Sequence, residues 1–498
     1  MAPLPDPDPT PAPAPAERGV GLIFALSFSG ITVAVMSSLL SPLLPRLPQL
    51  LDASASDATW AVTASLLSGA VSTPIAGRLG DLYGKRRMVL ISLVLLLTGS
   101  LVSAFSSSLV PMIIGRTLQG SALGVIALGM GIMRDHVPPS RLNLAIGLMS
   151  SSLGAGVALG PTVSAAIVEY ADWHMVFAFT AGLGAASIAL VLRYVPAQAE
   201  RRSGGFDLVG TVGLSAGLVA LLLAISKGGD WGWSSIRILA LFGVTPVILA
   251  LWAVVELRAP MPLVDLRTAR LPVVLLTNIT SLLVGYVLLA QSMVMPQLLQ
   301  LDPRSGSGLG LSVLAAGLVM LPGGLMMMAV SALAARLSSA RGPKTSLVVG
   351  AGISTVGYLV GLTMMHAVWQ VMLTGIVIST GIATAYAAMP SLIMSAVPAS
   401  ESGAANGFNA LMRAIGTSTS SAVAGVVLAR TRTPFDGLGT VPTLTGFRIV
   451  FIIAAGAGVL AVLIGSLIPA HPVARQPAYT PSSPPPSAPA TGPTATAP

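Results

Sequence analysis

The feature that most limits this chain is the recurrence of apolar runs long enough to cross a bilayer. A membrane-spanning helix needs about 20 predominantly apolar residues. Runs of that scale lie near Val20–Leu44, Thr59–Ala76, Met88–Phe105, Val110–Met133, Leu142–Val168 and Met175–Val195. Two more follow, Leu208–Ile225 and Ile236–Val255. The series closes with Pro272–Met295, Leu309–Leu333, Leu347–Met365, Val368–Ala396, Gly403–Ala429 and Ile449–Ile468. The pattern predicts an all-α polytopic membrane protein with fourteen spans. Charge agrees: 9% of the residues are charged, where a soluble domain carries about 25%. Most of the surface must therefore face lipid.

The connections are short, so no soluble nucleotide-hydrolysing domain fits between the runs. No G-x-x-x-x-G-K-[ST] loop is present. Energy must come from a gradient, and the expectation is a proton gradient with no bound cofactor. Cys is absent and there are four His. That leaves no disulfide framework, no thiolate metal site and no catalytic constellation, so neither a metal site nor an enzyme is expected. The net charge is +9, but no basic face with interleaved aromatics exists, and nucleic acid is not an expected partner.

Loop charge gives the orientation. With the N-terminus inside, the inner side holds most of the Lys and Arg, among them Arg78, Lys85, Arg86, Arg87, Arg134, Arg141 and Arg193. The outer side holds few, such as Arg46, Lys227, Arg237 and Arg304. Both termini then face the cytoplasm. Met1–Ala16 and Gln476–Pro498 are Pro-rich and low in complexity, and read as disordered tails. The first apolar run reads as an uncleaved span. The division that follows is a tail at 1–18, a six-helix bundle at 19–196, two additional helices at 197–268, a second six-helix bundle at 269–470 and a tail at 471–498.

Between the second and third runs stands Gly77-Arg-Leu-Gly-Asp81-Leu-Tyr-Gly84-Lys85-Arg86-Arg87. Its glycines permit a tight turn, its acid ends a helix, and its basic triplet anchors the turn. It resembles the G-x-L-a-D-r-x-G-r-k loop of the major facilitator superfamily, departing from it at Leu82. The fourth run carries Gly115-Arg116-Thr-Leu-Gln119-Gly120, similar to that family's R-x-x-q-G motif. An Arg in mid-span is a functional candidate; the structural alternative is an Arg bonded to backbone carbonyls. The fifth run carries Gly154-Ala-Gly156-Val-Ala-Leu-Gly160-Pro161, which resembles the G-x-x-x-G-P element of the exporter branches. Its small residues also suit plain helix packing.

The two additional central runs and Trp173-His174-Met-Val-Phe177 resemble the fourteen-helix drug:proton antiporter branch, which usually has W-R-W-x-F there. Gly403-Ala-Ala-Asn406-Gly407-Phe-Asn409-Ala-Leu-Met-Arg413-Ala-Ile-Gly416 looks like that branch's penultimate inner loop and helix. The Arg-rich, Lys-poor composition suits an actinobacterial member. The resemblance covers roughly residues 20–470 and implies two six-helix bundles around a central cavity, working by alternating access. It also implies a bacterial cytoplasmic membrane and a monomer. Gly77, Asp81, Gly84, Lys85, Arg86, Arg87, Arg134 and Asp135 would form a conformational latch, with Asp135 as a secondary proton site. Arg116, Gln119, Gly120 and Arg413 are the intramembrane coupling candidates.

The family commonly places an Asp in the first span, about nine residues before an A-L-P element. Here the element is Leu43-Leu44-Pro45 and the matching position is Met36. No carboxylate stands at mid-depth in any run. Without an embedded acid, a neutral, amphiphilic or anionic substrate is favoured over a strictly cationic one. Candidate cavity residues are Phe24, Phe28, Met36, Tyr286, Gln291, Met295 and Tyr386, since aromatic and Met side chains make walls that repack; ordinary helix packing is the alternative for each. The resulting expectation is a secondary exporter of hydrophobic or amphiphilic small molecules, such as drugs, antibiotics or natural products. The alternatives are a lipid transporter or facilitator without proton coupling, and a receptor that transports nothing.

Overall fold

The structure is a computed structural model that describes residues 15–43, 47–53, 55–58, 60–197, 207–259, 266–398, 401–435 and 439–469. Each apolar run becomes a helix, because a backbone in lipid must satisfy its polar groups within its own segment. Leaving aside three four-residue helical turns, the helices are α1 (Pro15–Ser38), α2 (Trp60–Tyr83), α3 (Lys85–Ala104), α4 (Leu109–Gly120), α5 (Gly124–His136), α6 (Pro139–Tyr170) and α7 (Met175–Tyr194). Then come α8 (Leu208–Trp231) and α9 (Ile236–Arg258). The last six are α10 (Pro272–Gln300), α11 (Val313–Arg341), α12 (Pro343–Gly361), α13 (Val368–Ala396), α14 (Ser402–Arg430) and α15 (Leu444–Ser466). Helices α4 and α5 are one rod interrupted by a 3-10 turn at Ser121–Leu123.

Among the described residues, 11 of these rods are long and apolar enough to cross a membrane. Helices α2, α6 and α12 fall outside that set. Polar N-caps start several rods. Asp207 accepts from the Gly210 N–H at 2.7 Å, Ser312 from Ala315 at 3.2 Å and Thr443 from Gly446 at 3.2 Å. Single glycines join two helix pairs. Gly84 (φ 97°) links α2 to α3, and Gly342 (φ 86°) links α11 to α12. A side chain at either φ would be strained.

All these helices belong to one unit that ends at Ile468. The buried side chains separate by sequence. One cluster is drawn entirely from residues 273–468, including Tyr358, Phe447 and Phe451. Two more come from residues 22–195, joined only by Met394 from the later helices. A smaller cluster brings Leu214, Leu218, Leu222 and Trp252 of α8 and α9 against Ala70 of α2 and Leu411 of α14. The additional helices thus pack where the early and late helices meet.

The structure departs from the sequence expectations at several places. Helix α1 starts at Pro15, inside the stretch assigned to the first tail. The rest of that tail, the second tail, Leu44, Pro45, Arg46, Arg201 and Arg202 lie outside the described residues. Lys227, assigned to a loop, lies within α8 and is buried, with its Nζ 5.1 Å from the Trp60 ring centroid. The helix runs six residues beyond the apolar run, to Trp231. A two-stranded antiparallel ribbon, Arg432–Phe435 with Gly439–Pro442, follows α14 in place of a plain loop.

Candidate functional site

Arg116 is 1% exposed and each of its three guanidinium nitrogens is engaged. Nε donates to Ala61 O at 3.0 Å and Nη2 to Ser65 Oγ at 3.0 Å. Nη1 donates to Gln119 Oε1 at 2.8 Å and to Met36 O at 3.2 Å, with the Met36 sulfur at 3.7 Å. Gln119 passes the network on by donating to Ser100 Oγ at 2.8 Å. One side chain therefore clamps α1, α2, α3 and α4. Gly120 lets the rods approach, since a Cβ there would lie 2.2 Å from Ser65 O. Met36, a cavity candidate, is 1% exposed beneath this clamp and is not among the residues that line the cleft at Gln291 and Met295.

The loop motif gathers at the end of the bundle that carries Gly84. Lys85 is 7% exposed and its Nζ lies 2.8 Å from Asp135 Oδ2 and 4.0 Å from Asp81 Oδ1. The other Asp81 oxygen accepts the Ala404 N–H at 3.3 Å, at the N-terminus of α14. A carboxylate is favoured there by the helix dipole. Arg134 Nη2 donates to Met394 O at 3.0 Å, in the last turn of α13, where a cation is favoured for the same reason. Gly77 faces Gly403 so closely that a Cβ would meet its carbonyl at 2.7 Å. Arg86 donates to Leu192 O at 3.2 Å, whereas Arg87 is exposed. These contacts tie α2 and α5 to α14 and α13.

The late helices have their own version of the turn. Arg336-Leu337 precedes Gly342 at the spacing by which Arg78-Leu79 precedes Gly84. The shared Arg-Leu followed by Gly six residues after the Arg was the visible signal of this internal repeat, which the sequence reading missed; the positive φ at both glycines is seen in the structure.

Among the exporter-element residues, Gly156 and Gly160 of α6 press on α1. A Cβ at Gly156 would meet Ala34 Cβ at 2.2 Å, and one at Gly160 would meet Ser38 Oγ at 2.0 Å. Ser38 donates to Gly156 O at 2.8 Å. Pro161 follows inside the same helix. At the other end of the bundle, Thr162 donates to Gly317 O at 3.0 Å, linking α6 to α11.

Arg413 is 8% exposed on α14, with its guanidinium 5.3 Å from the Tyr386 ring centroid. Nη1 donates to Asn409 Oδ1. Asn409 donates in turn to Asn278 Oδ1 at 2.9 Å and Ser281 Oγ at 2.6 Å on α10. Sequence reasoning quoted Asn409 without giving it a role and missed Asn278 and Ser281. The i, i+4 spacing of Asn409 and Arg413 was the available signal. Gln291 and Met295 line a cleft with Met320, Gly323, Met372 and Gly375, between α10, α11 and α13. Gln291 donates to Ser379 Oγ at 3.1 Å, while its buried Oε1 and the Tyr286 hydroxyl have no partner. Phe24 is 57% exposed, with its ring centroid 6.2 Å from that of Phe28. The cavity candidates thus fall into separate places: Gln291 and Met295 in the cleft, Tyr386 under Arg413, and the two Phe on α1.

His174, which departs from the branch pattern, lies tilted against Trp173 with ring centroids 3.8 Å apart and contacts Ser106 O through Nε2 at 3.1 Å. Its backbone N–H and ring hold the Asp172 carboxyl below the usual carboxylate range.

A family profile described as Major Facilitator Superfamily matches residues 26–421. The chain is 29% identical over 413 residues to the Tetracenomycin C resistance and export protein of Streptomyces glaucescens, covering 82% of this chain and 75% of that one. It is 28% identical over 373 residues to the Multidrug resistance protein Stp of Mycobacterium tuberculosis, covering 74% and 68%. Among solved structures it superposes on the proton:xylose symporter XylE with a TM-score of 0.65 at 14% identity, over 92% of this chain and 97% of that one. At that identity the likeness is one of fold.

Proposed function

The chain belongs to the Major Facilitator Superfamily, and on that premise we propose that it exports hydrophobic or amphiphilic small molecules by alternating access, driven by inward proton flow. It is a multi-pass membrane transporter, not an enzyme. The observation that carries the proposal is the pair of ties at the Gly84 end, Asp81 to the start of α14 and Arg134 to the end of α13. Each is one charged group on a helix terminus, so each can break and re-form without unfolding a core. Alternating access requires such a releasable closure. The outward direction rests on Gly156–Pro161 and on the export and resistance roles named for the relatives.

In this reading all fourteen rods cross the membrane, both termini are cytoplasmic, and the Gly84 end faces the cytoplasm. Two six-helix bundles at 19–196 and 269–470 move against each other, with α8 and α9 between them. The protein works as a monomer in a bacterial cytoplasmic membrane. Asp81 and Asp135, both close to Lys85, are the carboxylates through which protonation would loosen the latch.

The test is reconstitution in liposomes with an imposed pH gradient and a lipophilic dye or antibiotic. The expected result is dye movement that follows the gradient and collapses with a protonophore. Movement indifferent to the gradient would replace the antiporter with a facilitator.

A further inference from the structure

From the contrast between the two intramembrane arginines, we infer that Arg413, with Asn278 and Asn409, forms a subsite for an anionic group on the transported molecule. The inference rests on the transporter reading and names the substrate class for it.

Arg116 is saturated by five contacts. Arg413 is nearly as buried, yet among the described residues its only hydrogen bond is the one from Nη1 to Asn409. Among the described residues, Nε and Nη2 have no hydrogen-bond partner. Beside it, Asn278 is 3% exposed and spends its carbonyl on Asn409, which leaves its Nδ2 buried without a partner. The cluster therefore holds spare donors on two side chains. Among the described residues no carboxylate pairs with Arg413, and the Tyr386 face offers the charge only partial compensation.

Unused buried donors around an uncompensated cation are costly, and an acceptor anion relieves both deficits. A carboxylate fits the guanidinium fork best, through two parallel N–H···O bonds. Position agrees: Arg413 lies eleven residues from the start of α14, about 16 Å along the helix at 1.5 Å per residue. Met389 stands at this cluster, its sulfur 3.0 Å from Ser281 Oγ, and it offers an apolar contact for the body of an amphiphile whose charged group meets Arg413.

The test uses pyrenebutyrate and its uncharged amide, which share size and ring system. Binding is measured by fluorescence on the full chain in phosphatidylcholine vesicles. The acid should bind about tenfold or more tightly than the amide. Arg413→Gln keeps a hydrogen bond to Asn409 and should erase the acid's advantage while leaving amide binding unchanged. Asn278→Ala should reduce acid binding several-fold, again sparing the amide, and carries the test if the Gln variant does not fold. Equal binding of acid and amide by the wild type overturns the inference. So does a Gln or Ala variant that weakens both probes equally. Adding phosphatidylglycerol separates the sources of the anion. An unchanged preference assigns the subsite to the solute, and a preference lost to the lipid assigns it to a headgroup and overturns the solute assignment. Outward movement of the amide under a pH gradient tests the export reading separately, so either can fail alone.

Discussion

Nη1 of Arg116 lies 3.2 Å from the carbonyl oxygen of Met36 and 3.7 Å from its sulfur. The position at which the family commonly carries an acid is therefore filled by a thioether facing the cation. The guanidinium is balanced instead by carbonyls, a hydroxyl and an amide. This makes Arg116 a structural clamp across four helices.

Arg116→Ala should accordingly act on stability. It empties a buried volume and leaves Gln119 Oε1 without its donor, together costing about 3 kcal/mol or more. Arg116→Lys should fall between, because one ammonium cannot serve three directions at once. Thermal unfolding in detergent, followed by tryptophan fluorescence, checks both. An Ala variant as stable as the wild type would contradict the clamp.

Asp81→Asn keeps the size of the group but removes its charge from the N-terminus of α14. That interaction is worth about 0.3–2 kcal/mol, so the closed-to-open ratio at the Gly84 end should fall up to about thirtyfold. The chain has no native Cys, so cysteines introduced at exposed Tyr83 and Leu271 can carry spin labels. The expected result is a shift to longer distances, slower transport and preserved substrate binding. An unchanged distance distribution would remove Asp81 from the latch.

The rods were legible because each apolar run must close its own hydrogen bonds in lipid. Their facing was not. These helices are apolar nearly all round, so the pattern could not say that Met36 points into the core while Phe24 stays exposed. Lys227 was misplaced because its contact with Trp60 is tertiary and leaves no mark in the local sequence. The loop motif was legible through its spacing. Its partners, the Ala404 N–H and the Met394 carbonyl, are backbone groups that no motif encodes. The Arg413 cluster was half visible, because Asn278 comes from a helix more than a hundred residues earlier.

Gly84→Ala and Gly342→Ala should each destabilise by about 1–3 kcal/mol, since both positions have a φ that side chains avoid. Gly182→Ala is the control. It lies inside α7 with nothing near its missing Cβ, and should be neutral or stabilising by up to about 1 kcal/mol. Thermal midpoints in one detergent rank the three. Equal effects at all three positions would mean that the turns are not strained.

Gly156→Ala tests the seam between α1 and α6. The added methyl would meet Ala34 Cβ at 2.2 Å and the Val35 nitrogen at 2.5 Å. Much of that is backbone, so the helices must separate, at about 1–3 kcal/mol. Transport should fall further than stability if the seam also shifts during the cycle. Full activity in a folded variant would leave it a passive contact.

Met36→Asp places an acid beside Arg116. The introduced carboxylate would sit beside Nη1, where the sulfur now rests. In wild type, Arg116→Gln removes a cation held by neutral acceptors. In the Met36→Asp background the same change strands a buried negative charge, and breaking such a pair costs about 3–5 kcal/mol. A double-mutant cycle on thermal stability should therefore give a coupling of about 1–3 kcal/mol between the two positions. Additivity within about 0.5 kcal/mol would show that position 36 does not address Arg116. Substantial coupling would identify position 36 as a place where an acid can be held against a fixed cation. The wild-type protein leaves that place uncharged, so any proton it uses must be taken up elsewhere.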